Sequence, residues 1–164
     1  MPAAKKTTSA RRTRTPRRSG SKSSRHAALK ASKVTTYNTA VRYLMEKTDL
    51  ERARSVKYDK DTFKLDRMAK LLDALGNPQA SVRVAHVAGT VGKGSTVAMV
   101  ASILKHADYT VGTFTSPHLT DIRERIAING EMIDKSSFVA LVAAVGKAAE
   151  KVAPDATYFE LLTA

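Results

Sequence analysis

Cysteine is absent from the 164 residues, which excludes a disulfide framework, thiolate catalysis and any Cys-based metal site. No uninterrupted apolar run approaches the length a bilayer crossing needs, so the folded body is expected to be soluble, with no membrane role. Acidic residues are missing from the first 33 positions, which hold eleven of the 28 lysines and arginines. The rest carries 17 basic and 15 acidic groups, so the net charge of +13 belongs to a tail and the body is nearly neutral. That body has room for one domain with a real core.

The tail, residues 1–33, is built from Arg, Lys, Ser, Thr and Ala and has almost no large apolar side chain. Such a segment cannot bury enough surface to offset its ordering entropy and is expected to be disordered. Arg11, Arg12, Arg14, Arg17 and Arg18 suit counterion release on a nucleic acid. Arg- and Ser-rich, acid-poor composition also suits an organelle presequence. No aromatic residue is interleaved for base stacking and no amphipathic pattern is evident, which favours a leader with no binding task.

The organising stretch lies between positions 82 and 96. A β-branched run, Val82 to Val87, enters a turn with three glycines in six residues, and the chain leaves it with Val97, Val100, Ala101 and Leu104 on one helical face. Strand, glycine turn, lysine and helix describe a phosphate cradle. Gly89, Gly92 and Gly94 let backbone N–H groups converge on an anion, and the helix turns its positive end to the same place. Lys93 adds a full charge, and Ser95 or Thr96 a hydroxyl for nucleotide-bound Mg²⁺. The common G-x-x-x-x-G-K-[ST] pattern does not fit, because Gly94 follows the lysine. The bland reading is a glycine-rich turn with an incidental lysine.

Around this stretch the periodicity predicts a helix from Tyr37 toward Arg54, a polar break over residues 55–62, and a second helix through Phe63, Leu65, Met68, Leu71, Leu72 and Leu75, stopped by Gly76-Asn77-Pro78. Tyr109 to Thr115 reads as a second strand. A strand, a crossover helix and a strand imply an α/β fold: a partial P-loop-type parallel sheet with flanking helices, whose ligands sit at the strands' carboxyl ends. Ser116-Pro117-His118 would then face the same crevice as residues 89–95. The mixed charges from Asp121 to Arg125 read as a solvated surface loop. Ile126 to Ile133 holds Asn129-Gly130, a two-residue hairpin signal. Asp134 or Ser136 can cap a helix with a Phe138, Leu141, Val142, Val145, Ala149, Val152 stripe, ended by Pro154. An apolar segment with one acid, Glu160, follows. His86 and His118 read as packed or hydrogen-bonded histidines, not catalysts.

The run Gly89-Thr90-Val91-Gly92-Lys93-Gly94-Ser95 resembles the G-T-N-G-K-G-S loop of folylpolyglutamate and dihydrofolate synthases, in the Mur-ligase superfamily. Thr115-Ser116-Pro117-His118-Leu119 with Arg123-Glu124-Arg125-Ile126, and Thr157-Tyr158-Phe159-Glu160, resemble that family's second and third signatures. The resemblance runs from about Tyr37 to Ala164. It implies an ATP-dependent ligase: a folate or dihydropteroate carboxylate is phosphorylated, and the amine of L-glutamate attacks the acyl phosphate. It assigns ATP to Gly89, Thr90, Gly92, Lys93, Gly94, Ser95 and Thr96, with Lys93 catalytic, and Mg²⁺ to Ser116 and Glu160. A monomeric, cytoplasmic enzyme is implied, or an organellar one should the tail be an address.

Three departures stand out. Val91 replaces an asparagine, and Asp108 a glycine before the tyrosine. Family members are more than twice this length, and their remainder supplies a metal-binding histidine, a modified lysine, further strands and a glutamate-binding domain. Residues 34–164 are therefore expected to be the N-terminal part of a truncated Mur-ligase-like ATP-binding domain, lacking the C-terminal domain and turning over little or nothing alone. The alternatives are a nucleotide-binding remnant, or a basic-tail nucleic-acid binder. A Mur-type ATPase acting on a peptidoglycan precursor fits Ser116 to Leu119 less well.

Overall fold

A computed structural model describes residues 28–49 and 65–164. Of the tail expected to be disordered over residues 1–33, positions 1–27 lie outside the described residues, as do the polar break and Phe63; against that expectation Ala31–Lys33 form a 3-10 helix, with Ala31 buried in the core.

Helix α1 (Tyr37–Met45) begins in a capping box built from two threonines: Thr36 Oγ1 accepts from Thr39 N, and Thr39 Oγ1 accepts from Thr36 N at 2.9 Å. It stops at Met45, short of the predicted Arg54, because the chain finds other partners there. Glu46 takes Leu29 N at 2.6 Å and Arg42 Nε at 2.9 Å, and the Thr48 carbonyl accepts from Tyr158 N at 3.0 Å.

Helices α2 (Leu65–Ala74) and α3 (Lys93–His106) end in the same device. After α2, Asn77 N reaches Leu72 O at 2.8 Å and Gly76 N reaches Asp73 O at 2.9 Å, with Gly76 at φ 81°. After α3, Tyr109 N reaches Leu104 O and Asp108 N reaches Lys105 O, both at 3.1 Å, with Asp108 at φ 62°. Both are Schellman closures, which need a left-handed residue at the position that glycine fills without strain. Asp108 fills it with a Cβ, which sharpens the departure already visible in the sequence.

The predicted parallel sheet is not what the described residues form. Residues 82–88 carry no ladder, and the only sheet among the described residues is antiparallel: β1 (Gly112–Phe114), β2 (Ile126–Ile128) and β3 (Glu131–Met132), in that order. β1 is shorter than the Tyr109–Thr115 run. It pairs with the strand that returns to it locally. Asn129 locks that return from both sides, since its N–H donates to Val111 O and its Oδ1 accepts from Val111 N, each at 2.8 Å. The hairpin forms as predicted, with Asn129 at φ 51° and Gly130 at φ 85°.

Long helix α4 (Lys135–Val152) is capped by Asp134, and short α5 (Tyr158–Thr163) follows. The α4 stripe buries Phe138, Val142, Val145 and Ala149, while Leu141 and Val152 face water. Gly146 is buried too, because a Cβ there would stand 3.0 Å from both the Ala31 Cβ and the Tyr43 ring. The core lies among α1, α2, α4 and α5, with Tyr43, Tyr158, Phe138, Leu44 and Leu71 its largest enclosed side chains. None of it comes from α3 or residues 82–88. On α3 Val97 and Ala101 are half-buried, whereas Met99 is 59% and Ile103 68% exposed.

The charged run that reads as a solvated loop is internally satisfied. The Glu124 carboxylate gathers Leu119 N at 2.7 Å, Thr120 N at 2.9 Å, Thr120 Oγ1 at 2.6 Å and Asp121 N at 2.7 Å. Those bonds, led by the Thr120 hydroxyl, lower its pKa from 4.5 to about 2. Asp121 pairs with the Arg123 guanidinium at 2.9 Å and accepts from Tyr37 Oη at 2.8 Å, so it titrates well below the carboxylate range. Tyr37 in turn meets Phe138 with ring centroids 5.7 Å apart, which fixes the loop to α1 and α4.

Two outcomes test this account. Asp108→Gly is expected to raise stability by about 1 kcal/mol in urea unfolding, by removing the left-handed Cβ conflict; no gain would mean the turn carries no strain. Because Glu124 titrates below its usual 4.5, its contribution is complete above that pH and fades as pH falls toward 2. Amide protection at Leu119 and Asp121 should hold from pH 7 to about 5 and then drop, and Glu124→Gln should erase the step.

Candidate functional site

Gly92 sits at the N-cap of α3 with φ 77°, and Lys93 is the first helical residue. The lysine folds back on its own loop: Nζ donates to Gly89 O at 2.7 Å and to Thr90 O at 3.5 Å. Thr96 Oγ1 donates to Gly92 O at 3.0 Å, and Ser95 is exposed on the first turn. Val91, the departure in the loop, is 88% exposed, so its side chain supports nothing within the chain. Gly94 is helical, where glycine costs about 1 kcal/mol relative to alanine. A Cβ added to it would meet nothing within 4 Å. Intramolecular crowding therefore does not require glycine at 94, whereas close approach by an outside group would. The ammonium, the hydroxyl and the bare first turn form an open surface suited to an anion.

Ser116, Pro117 and His118 follow β1 directly, and the Ser116–Pro117 peptide is cis. Ser116 is exposed. His118 Nδ1 accepts from Arg125 Nε at 2.9 Å, which requires the tautomer with its proton on Nε2. Arg125 is only 3% exposed, and its guanidinium lies 5.6 Å from the Tyr158 ring centroid. Phe114 of β1 meets Phe159 of α5 at 5.9 Å between centroids. These contacts bring the 116–119 loop and the start of α5 together. Beside the loop, a cavity of about 310 Å³ is lined by Tyr37, Asn38, Val41, Arg42, Met45, His118, Thr120 and Ile122.

Glu160 is the third N-terminal position of α5 and closes a capping box: Oε2 accepts from Thr157 N at 2.8 Å and from Thr157 Oγ1 at 2.9 Å. Arg67 of α2 claims the same carboxylate. Its Nε lies 3.0 Å from both oxygens and its second terminal nitrogen 2.9 Å from Oε1, while the other reaches Asp155 at 2.9 Å. A carboxylate has about four lone-pair sites, and four donors converge on this one, with Arg67 Nε shared between its two oxygens. As arranged, Glu160 has no open lone pair for a cation. Among the described residues no three His, Asp or Glu side chains gather as a metal-holding group.

Sequence reasoning passed over Arg67 and gave Arg125 no role of its own, whereas His118 is the hydrogen-bonded histidine it was expected to be. Arg67 stands four residues before buried Leu71, on the same helical face, and an arginine there needs an internal acid. That signal was readable, and Glu160 was the one acid set among apolar neighbours.

No family model matches the chain. It is 53% identical over 78 residues to the dihydrofolate synthase/folylpolyglutamate synthase of Bacillus subtilis, covering 48% of this chain and 18% of that one. It is 42% identical over 103 residues to the folylpolyglutamate synthase of Lacticaseibacillus casei, covering 60% and 24%. Among solved structures, a folylpolyglutamate synthase in complex with AMPPCP and folate matches 79% of this chain and 30% of its own, at 36% identity and a TM-score of 0.66. That likeness carries a Mur-ligase-like α/β fold, within which the small antiparallel sheet and its helices belong. The chain spans about a quarter or less of the length of these curated relatives. By sequence and by structure alike, the matched part of the chain is similar to the N-terminal share of folylpolyglutamate and dihydrofolate synthases that these alignments cover.

Proposed function

We propose that this chain supplies the nucleotide grip and the folate-side wall of an ATP-dependent ligase that joins L-glutamate to folate or dihydropteroate. The observation that carries the reading is the glycine loop: Lys93 and an uncrowded Gly94 open a 14-residue helix, in a chain 36% identical to a synthase complexed with AMPPCP and folate. In this reading residues 82–88 form the first strand of a parallel P-loop-type sheet, and residues 34–164 are the N-terminal part of the ATP-binding domain.

The residues divide the work by position. Loop amides and the helix end meet phosphate oxygens of ATP, at Gly89, Thr90, Gly92, Gly94, Ser95 and Thr96. Lys93 exchanges the Gly89 carbonyl for a phosphate oxygen and stabilises charge that develops during phosphoryl transfer. The 116–119 loop, held by Glu124 and Arg125, borders the cavity under Tyr37, where the folate partner would lie. Ser116 and Glu160 are the assigned contacts for nucleotide-bound Mg²⁺, an ion that supplies phosphate charge neutralisation in such chemistry. Glu160 must first be released from Arg67. The assignment describes a monomeric cytoplasmic enzyme. The exposed apolar residues of α3 and of positions 82–88 mark surface that a complete ligase would cover. The 164-residue chain alone is therefore expected to bind nucleotide yet form little or no glutamylated product.

Titration of the full chain with AMPPCP tests the grip. Charge-assisted contacts are worth about 1.5–3 kcal/mol, so Lys93→Ala should weaken binding roughly 10- to 100-fold. Unchanged affinity in Lys93→Ala, or no binding by either protein, would refute it. Incubation with ATP, Mg²⁺, glutamate and tetrahydrofolate should release little ADP, and brisk turnover would show that no further part is needed.

A further inference from the structure

We infer that His118 is the specificity-determining donor of the cavity beside Tyr37, held by Arg125 so that its Nε2–H reads a hydrogen-bond acceptor on the folate partner. The inference rests on the reading that the folate partner lies in this cavity, and adds which side chain there selects it.

The ring is fixed from both sides. Glu124 holds the backbone just beyond it, taking Leu119 N at 2.7 Å and Thr120 N at 2.9 Å. Thr115 N donates to the Arg125 carbonyl at 2.9 Å, which closes the base of the same loop. The Arg125 side chain, buried beneath that loop, donates Nε to His118 Nδ1 at 2.9 Å. A guanidinium carries donors only, so Nδ1 is the bare nitrogen and the ring proton sits on Nε2. Nε2 lies on the ring edge opposite Arg125, and half-buried His118 is one of the residues lining the cavity of about 310 Å³.

The hydroxyls of that lining are already committed. Tyr37 Oη donates to Asp121 at 2.8 Å, and Thr120 Oγ1 donates to Glu124 at 2.6 Å. Arg42 Nε is held by Glu46 at 2.9 Å, and Asn38 is exposed. His118 makes no second hydrogen bond among the described residues, so its Nε2–H is a neutral donor, fixed in place and open to a ligand. Val41, Met45 and Ile122 add apolar surface to the same cavity. An apolar wall with one fixed donor suits a flat ligand that presents a carbonyl oxygen or a ring nitrogen, as a pteridine joined to a benzoyl group does. A ligand presenting an N–H there would set two donors face to face and leave both without a partner. Arg125 does not touch the ligand in this account. It is a positioning residue, and it acts by excluding the other tautomer.

Titration calorimetry of the full chain with dihydropteroate reads the donor, with circular dichroism confirming the fold of each variant. His118→Phe keeps a flat ring without nitrogens and should weaken binding roughly tenfold, the usual loss for one hydrogen bond. His118→Gln keeps an oxygen for Arg125 and an N–H for the ligand, and should stay within about threefold of the parent. A ring that only fills space predicts the reverse order. Equal binding by His118→Phe and the parent, or His118→Gln as weak as His118→Phe, overturns the proposal and leaves the folate reading standing. No binding by the parent overturns both. Nitrogen NMR of the parent needs no variant: the proton should be found on Nε2, and that resonance should shift as dihydropteroate is added. A proton on Nδ1, or an Nε2 resonance unmoved at saturating dihydropteroate, overturns the proposal.

Discussion

The guanidinium of Arg67 spread across Glu160 is the joint on which the rest of the described structure hangs. It ties α2 to α5, which also share the core built on α4, and does so with a planar fork that a lysine cannot reproduce. Taking Arg67 away would leave Glu160 with only the Thr157 donors, and taking Glu160 away would leave the guanidinium with Asp155. The orientation it imposes on α5 is then passed along. Tyr158 lies under Arg125, Arg125 donates to His118, and Phe159 meets Phe114. The ion pair and these contacts together hold α5 beside the loop after β1.

The two candidate loops are held in opposite ways. The 116–125 stretch is supported from the core: Glu124 satisfies four donors, Asp121 reaches Tyr37, and Ile122 and Arg125 are buried. A loop with every carboxylate committed keeps its shape whether or not a ligand is present. The glycine loop has no such floor. Its lysine and Thr96 bond to the loop's own carbonyls, and the helix behind it adds no side chain to the core. Rigidity lies on one side of the site and adaptability on the other.

How much of this was legible in sequence follows from which signals are local. The Asn129-Gly130 hairpin, the Asp134 cap and the Gly76 stop are decided by a few neighbouring residues, and each appears where the pattern puts it. The parallel sheet was not legible in this way, because a ladder is a property of two segments. Residues 82–88 have a strand's composition but no strand beside them among the described residues, while Asn129 draws β2 onto β1 by bonding Val111, 18 residues away. The charged run misled for a related reason. Asp121, Arg123, Glu124 and Arg125 look like a solvated face when counted, and become a framework only when their partners at Tyr37, His118 and Tyr158 are known. Arg67 was legible in principle, since its place on the Leu71 face demands an acid. Charge counting alone hides that demand.

The placement of the core bears on how the proposed phosphate grip would work. A cradle acts through amides fixed in advance, so the free energy that holds the loop in shape must come from elsewhere in the fold. An isolated helix of 14 residues is marginal in water. α3 is steadied by its Schellman closure and by Lys105 Nζ on the Asn129 carbonyl at 2.9 Å, both at its C-terminal end, remote from the glycines. Its exposed Met99 and Ile103 contribute no burial. Ordering of the N-terminal turn therefore has two available sources, contacts with the bound phosphates or a cover over the apolar face of α3. Where the first source is used, part of the binding energy is consumed in shaping the loop, and affinity falls below that of a preformed cradle. Where the second is used, the same residues bind more tightly with no change in the loop itself.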